Sequence, residues 1–305
     1  MAGPGPVDVW RAEVFVPDAG ALCEGPRWDE RSERLLWVDI LAGRLHEADI
    51  TGRRLAGHDV GLPLGSFAPR ESGGHVLALE TGFAVVDADW SAGPRPIGTH
   101  RSRPTPIRFN DGVCDPFGRF FAGTMDYDEA PGAGTVFRLD PPGADGEFPE
   151  AVPVITGTTV SNGLGWSDDG RTMYFVDSVA RTVDAFDYDP GGGTPTNRRT
   201  LISIAEGDGF PDGLAVAADG FLWLALWDGG QVRRYTPDGE LAGIVEVPVG
   251  RVSACTFAGP DLDELIITTA RQGLDEATLA AQPASGSLFR CRTGHTGRPV
   301  SRYHG

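Results

Sequence analysis

Four residues able to bind a cation or hold a proton recur at matched places in this chain: Glu24, Asp111, Asn162 and Asp212. Each is followed by glycine, then by an alternating apolar run, a turn and a second apolar run. The stretches are CEGPRWDERSERLLWVDI (Cys23–Ile40), NDGVCDPFGRFFAGT (Asn110–Thr124), SNGLGWSDDGRTMYFVDS (Ser161–Ser178) and PDGLAVAADGFLWLAL (Pro211–Leu226). Laid without gaps, the third places Asn162 on Glu24, Trp166 on Trp28 and Val176-Asp177 on Val38-Asp39. Carboxylates are rarely buried unless they are paired or bound to metal. Acids and amides brought together by a repeat therefore point to a polar centre with work to do.

What could bring them together is set by the period. Weaker copies at Gly65–Leu79 and Ser253–Thr269 complete six units, with leading positions 24, 65, 111, 162, 212 and 253, spaced 41 to 51 residues apart. That period, built from turn-separated strand pairs, predicts a propeller blade. A blade cannot bury its faces alone, so blades stack radially around a channel. The expectation is an all-β, six-bladed β-propeller forming one domain over residues 1–305, with the leading positions crowded around its axis.

Composition agrees with this. The 43 Gly and 24 Pro suit a turn-rich β chain, and 40% hydrophobic residues supply a core. A formal net charge of −17 argues against nucleic acid or anionic membrane partners, because phosphate binding needs a basic face. Cys23, Cys114, Cys255 and Cys291 form no CxxC pair and read as small buried hydrophobes in a reducing compartment. The start MAGPGPVDVW lacks a signal-like apolar run, and no 18 apolar residues run together, so a soluble cytoplasmic protein is expected.

Along the chain, Val7–Val16 is a strand candidate assigned to the last blade beside Gly286–Arg292, where it would close the ring. Asp169-Gly170, Asp219-Gly220 and Asp238-Gly239 read as hairpin turns rather than ligands. Pro141–Pro149 and Gly191–Thr196 read as surface loops, Leu274–Ala281 as a short helix, and the polar tail from Thr293 as loose. Tryptophans 28, 166 and 223 are expected to pack blades. Histidines 46, 58, 75, 100, 295 and 304 show no metal spacing and read as surface or turn residues.

The segments CEGPRW, RFNDGVCDPFGRFFAGTM, SNGLGWS, GFPDGLAVAADGFLWLA and TTARQG, spanning Leu22 to about Arg290, together resemble the regucalcin and gluconolactonase family. That family consists of calcium- or zinc-dependent lactonases built as six-bladed propellers. Position by position, the resemblance implies metal ligands at Glu24, Asn162 and Asp212, with Asp212 also accepting and returning a proton. It implies substrate contacts from Arg108 and Asn110, and from Asp128, where regucalcin-like chains carry glutamate.

The chemistry of these residue types is consistent with that role. Two carboxylates and an amide oxygen form a hard ligand set for calcium, magnesium or manganese, and zinc or ferrous iron also fits. Such a cation polarises a carbonyl as a Lewis acid. Asn110 and Asp111 could instead brace the turn of blade three through side-chain to backbone bonds. The sequence therefore favours hydrolysis of a small sugar lactone, with organophosphate-ester hydrolysis or non-catalytic calcium binding as alternatives, and leaves the oligomeric state open. A serine hydrolase is disfavoured because no G-x-S-x-G elbow occurs, and a nucleotide enzyme because no Walker loop or strand-linked GxGxxG occurs.

Overall fold

The alternating apolar runs become antiparallel strands whose two faces are both covered by neighbouring sheets. A computed structural model describes residues 7–98 and 107–305. Among these the strands form six sheets, each running outward from one inner strand. The inner strands are Cys23–Asp29, Leu64–Pro69, Ile107–Cys114, Ser161–Trp166, Phe210–Val216 and Val252–Ala258. Each touches the next and the last touches the first, which closes a six-bladed β-propeller.

Large side chains fill the gaps between blades. Phe121 of blade three meets Trp166 of blade four at 5.1 Å, and Trp223 of blade five meets Phe257 of blade six at 5.5 Å, both edge to face. Trp28, Trp166 and Trp223 are all buried, as are the four cysteines, which are unpaired. Edge-to-face pairs add to the burial of apolar area.

One irregularity is shared by all six inner strands. Pairing with the second strand slips between Glu24 and Arg27, Leu64 and Ser66, Phe109 and Gly112, Ser161 and Leu164, Pro211 and Leu214, and Val252 and Ala254. In blade four, Asn162 and Gly163 together face the single residue Val176. Such a bulge bends the strand and re-aims the side chain at the extra position. The glycine after each polar residue follows from the same geometry. A Cβ on Gly163 would lie 2.6 Å from the Leu214 backbone nitrogen, and one on Gly213 would lie 2.4 Å from the Ala254 Cβ. At Gly163 and Gly213 the next inner strand approaches too closely for any side chain, whereas Gly25 has open space around it and instead takes a left-handed φ of 51°.

The repeated Val-Asp also acquires a cause. Asp39 accepts from the Ala21 and Leu22 amides at 2.8 and 3.2 Å, and Asp177 from the Thr159 and Val160 amides at 3.0 and 3.3 Å. Each carboxylate at the end of a second strand thus fixes the chain entering its own inner strand.

The N-terminal segment closes the ring, but not as one strand. Glu13–Val16 pairs antiparallel with Leu288–Arg292 of blade six, as expected. Asp8–Arg11 instead pairs in parallel with Leu241–Glu246 of blade five. Trp10 packs at the split: its ring lies 5.8 Å from Trp223 and occupies the space left open by Gly243.

The tail is docked, contrary to expectation. Tyr303 is fully buried, its amide donates to the Pro69 carbonyl at 2.9 Å, and its hydroxyl donates to the Asp140 carbonyl at 2.8 Å. A polar composition concealed one aromatic anchor and its backbone bonds. The strand Thr194–Ser203 also takes in residues expected to be loop. The helix is Glu276–Ala281, capped by Asp275, which accepts from the Thr278 amide at 2.7 Å. No helix among the described residues is long and apolar enough to cross a membrane. His46, His58 and His75 lie on strands rather than in turns, with His46 stacked on Trp37 and His58 on Trp90. His100 lies outside the described residues, as do residues 1–6.

Replacing the tail anchor, Tyr303→Ala, should cost about 3–5 kcal/mol, the usual range for emptying a buried aromatic site. Urea unfolding of the variant against the parent checks this, and a loss below about 1 kcal/mol would mean that the tail contributes little to holding the ring.

Candidate active site

A cavity of about 400 Å³ opens at the end of the ring where the inner strands carry their bulges. Glu24, Arg108, Asn110, Asn162 and Asp212 all line it, and each is at most 8% exposed. The repeat therefore does bring together residues nearly 190 positions apart. The described residues place five of the six expected site residues on one wall system.

A single run of hydrogen bonds fixes their orientation. The Ser178 hydroxyl donates to the Pro211 carbonyl at 2.6 Å, so its oxygen accepts from the Asn162 Nδ2 at 2.7 Å. That turns the Asn162 Oδ1 toward Asn110, whose Nδ2 donates to it at 2.8 Å and to the Ser161 carbonyl at 3.0 Å. The Asn110 Oδ1 then accepts from the Arg108 Nη1 at 2.6 Å. Carbonyl oxygens only accept and guanidinium nitrogens only donate, so both amides have one allowed orientation.

Glu24 and Asp212 complete the floor, and their electrostatics oppose ionisation. Burial pushes the Glu24 carboxyl up to about 8, with the charge of Asp111 adding to the effect. Burial likewise pushes Asp212 well above the usual carboxylate range, followed by the charges of Glu24 and Asp111, with Arg108 opposing. Burial also lowers the Arg108 guanidinium. Two acids in this situation either keep a proton or take a cation.

The donor set fits a hard divalent cation. The Asp212 Oδ1 is buried and accepts no hydrogen bond; other buried side-chain atoms among the described residues share this, the Glu264 Oε2 included, but Asp212 alone of them lines the cavity, where a ligand could reach it. Among the described residues no three His, Cys, Asp or Glu side chains are placed to bind a metal. A cation here would accordingly need the amide oxygen of Asn162 beside Glu24 and Asp212, an all-oxygen set.

One expected site residue sits elsewhere than the sequence suggested. Asp128 is exposed and does not line the cavity, whereas its neighbour Glu129 does. A turn from Asp126 causes this: the Asp128 amide donates to the Asp126 Oδ1 at 2.8 Å, and Glu129 takes a left-handed φ of 54°. Asp111, the leading residue of blade three, braces its turn by accepting from the Gly112 amide at 2.7 Å, and the bulge presents Asn110 in its place. Sequence reading also passed over Ser178, Tyr127 and Arg251, all of which line the cavity from connectors or their borders.

Fold and cavity together define a six-bladed propeller with an acidic, oxygen-lined site at one end of its ring. The chain belongs to the SMP-30/gluconolactonase/LRE-like family, whose model matches residues 22–271. It is 35% identical to regucalcin of Xenopus laevis over 286 residues, covering 92% of this chain and 93% of that one. It is similar to the solved structure of a calcium-binding protein, regucalcin, from Agrobacterium tumefaciens, with a TM-score of 0.90 and 28% identity over 99% of this chain and all of the other. A luciferin-regenerating enzyme structure matches with a TM-score of 0.85 and 28% identity, covering 96% of this chain and all of that one.

The raised Glu24 carboxyl gives stability a sign. In cation-free protein the folded state holds a proton that the unfolded state has released between about 4.5 and about 8, so this contribution is lost as pH rises through that window. His46 and His75, lowered to about 4 by burial, act oppositely below their ordinary value of 6.5. The difference between parent and Glu24→Gln isolates the carboxyl. In chelator, the parent's melting temperature should fall relative to the variant's from pH 5 to 8, and a divalent cation should restore it. Parallel curves in chelator would contradict the assignment.

Proposed function

We propose that this protein is a divalent-cation-dependent lactonase, opening lactone rings to hydroxy acids, with sugar lactones such as gluconolactone the first substrates to test. The observation that carries the reading is the unpartnered Asp212 Oδ1 in a buried oxygen set beside the oriented Arg108–Asn110–Asn162 run. Membership of a family that includes gluconolactonases supports it. Glu24, Asn162 and Asp212 would hold the cation, calcium or zinc first, with magnesium, manganese and ferrous iron also compatible. When bound, it supplies Lewis-acid polarisation of a carbonyl.

The residues account for the rest of the reaction. Water adds to the lactone carbonyl carbon and the ring C–O bond breaks, so that one water and one lactone give one hydroxy acid. Asp212 takes the proton from the attacking water and returns it to the departing ring oxygen. Arg108, held by Asn110 and the Phe109 carbonyl, keeps a fixed positive charge over the oxygen that gains electron density. Asn110 and Asn162 orient without exchanging protons. The four free, buried cysteines support a reducing, cytoplasmic setting.

A second reading, cation binding without turnover, is motivated by the Agrobacterium relative described as a calcium-binding protein. Acid release from gluconolactone, followed by pH-stat after chelation and restoration of single metals, separates the two. We expect metal-dependent turnover above spontaneous opening, and about a 10²–10⁴-fold lower kcat in Asp212→Asn. Cation uptake with no turnover would select the second reading, and an active Asp212→Asn would remove the proton-transfer role.

A further inference from the structure

The mouth of the cavity is chemically unlike its floor. Leu41, Tyr127, Val179 and Phe210 line it from blades one, three, four and five, and each remains 39–43% exposed. Single exposed apolar side chains need no explanation, but a set gathered around a polar floor marks a ligand site. Beneath them Leu22, Met125 and Val160 continue the apolar wall and are buried.

The exposure of Phe210 is held in place. The Arg181 guanidinium lies 4.6 Å from the centre of its ring. Arg181 is itself anchored by donating to the Ile204, Ala205 and Gly209 carbonyls. The ring is therefore presented to the mouth by a braced cation rather than left loose.

The polar groups of the upper wall are largely committed to protein partners. The Tyr127 hydroxyl donates to the Glu80 Oε1 at 2.7 Å. The Arg251 Nε donates to the Asp228 Oδ1 at 3.3 Å, its Nη1 donates to the Gln272 carbonyl, and its guanidinium lies 5.0 Å from the Trp227 ring centre. The Ser178 hydroxyl is used by Pro211 and Asn162. Glu129 and Gln272 line the cavity from blades three and six, but on the Leu41–Val179–Phe210 side a hydroxylated sugar lactone would turn hydroxyls toward side chains unable to bond them, whereas an apolar substituent would lose water there at a gain. A cavity of about 400 Å³ also falls within the range that houses ligands larger than a bare six-membered ring.

We infer that the preferred substrates are lactones carrying an apolar substituent of several carbons, an alkyl chain or aryl ring, which lies across the Leu41–Val179–Phe210 mouth while the lactone ring rests on the polar floor. This rests on the lactonase reading above and narrows its substrate.

The test compares kcat/KM of the cation-loaded protein on glucono-δ-lactone, unsubstituted δ-valerolactone and δ-decalactone, with spontaneous opening subtracted. We expect δ-decalactone to exceed both others by at least about 10-fold, since each buried methylene is worth roughly a fourfold gain. In the double variant Phe210→Ser/Val179→Ser, the ratio of δ-decalactone to δ-valerolactone should fall at least about fivefold. That ratio is taken within one preparation, so partial misfolding cancels. Equal or sugar-favouring kcat/KM values, or an unchanged ratio in the double variant, would overturn the inference and leave the lactonase reading standing. No hydrolysis of any of the three would overturn both.

Discussion

The Ser178 hydroxyl has one proton, and it is spent on the Pro211 carbonyl. From that fact the orientation of the whole site follows. Asn162 must donate to Ser178, so its oxygen faces inward, and Asn110 must donate to that oxygen and to Ser161, so its own oxygen faces Arg108. Four side chains on two blades, tied to a backbone carbonyl of a third, are thereby set in one arrangement without a covalent constraint. The run ends at the carbonyl preceding Asp212, which couples blade four to the carboxylate that would transfer the proton. Sites held within tenths of an ångström by such supporting bonds are those that can use orientation in catalysis.

Against that ordered amide run, the two carboxylates are held at an energetic cost. Glu24 and Asp212 are buried, which raises both; Asp111 raises both further and Glu24 raises Asp212, while the Gly25 amide and Arg108 oppose at Glu24 and Arg108 opposes at Asp212. Around them the blades are held by aromatic pairs and by bulge glycines that let inner strands meet. Strain of this kind, concentrated where charge is needed and offset at a distance, is characteristic of functional sites. The apolar mouth adds to it by limiting water around the acids.

The architecture was legible in the sequence because it repeats. Polar residue and glycine recur at the blade period, and Val-Asp is shared by blades one and four; each has a physical cause visible in the fold: the bulge, the close approach of inner strands and the capping carboxylate. What sequence reading missed depended on one-residue choices that a repeat does not record. Glu129 rather than Asp128 faces the cavity because a left-handed residue turns the chain. The N-terminal segment divides between two blades with Trp10 packed at the split, and Tyr303 anchors a tail whose composition is polar. Ser178 has a role only through partners brought near by folding, so its own neighbourhood in sequence carried no signal.

The central claim is that the bulges of three blades converge Glu24, Asn162 and Asp212 on one cation. Anomalous diffraction from crystals equilibrated with manganese tests this most directly. The account predicts one dominant peak in contact with oxygens of all three side chains, absent from Asp212→Ala crystals. A dominant peak elsewhere, or none at the ring's end at saturating manganese, would contradict it.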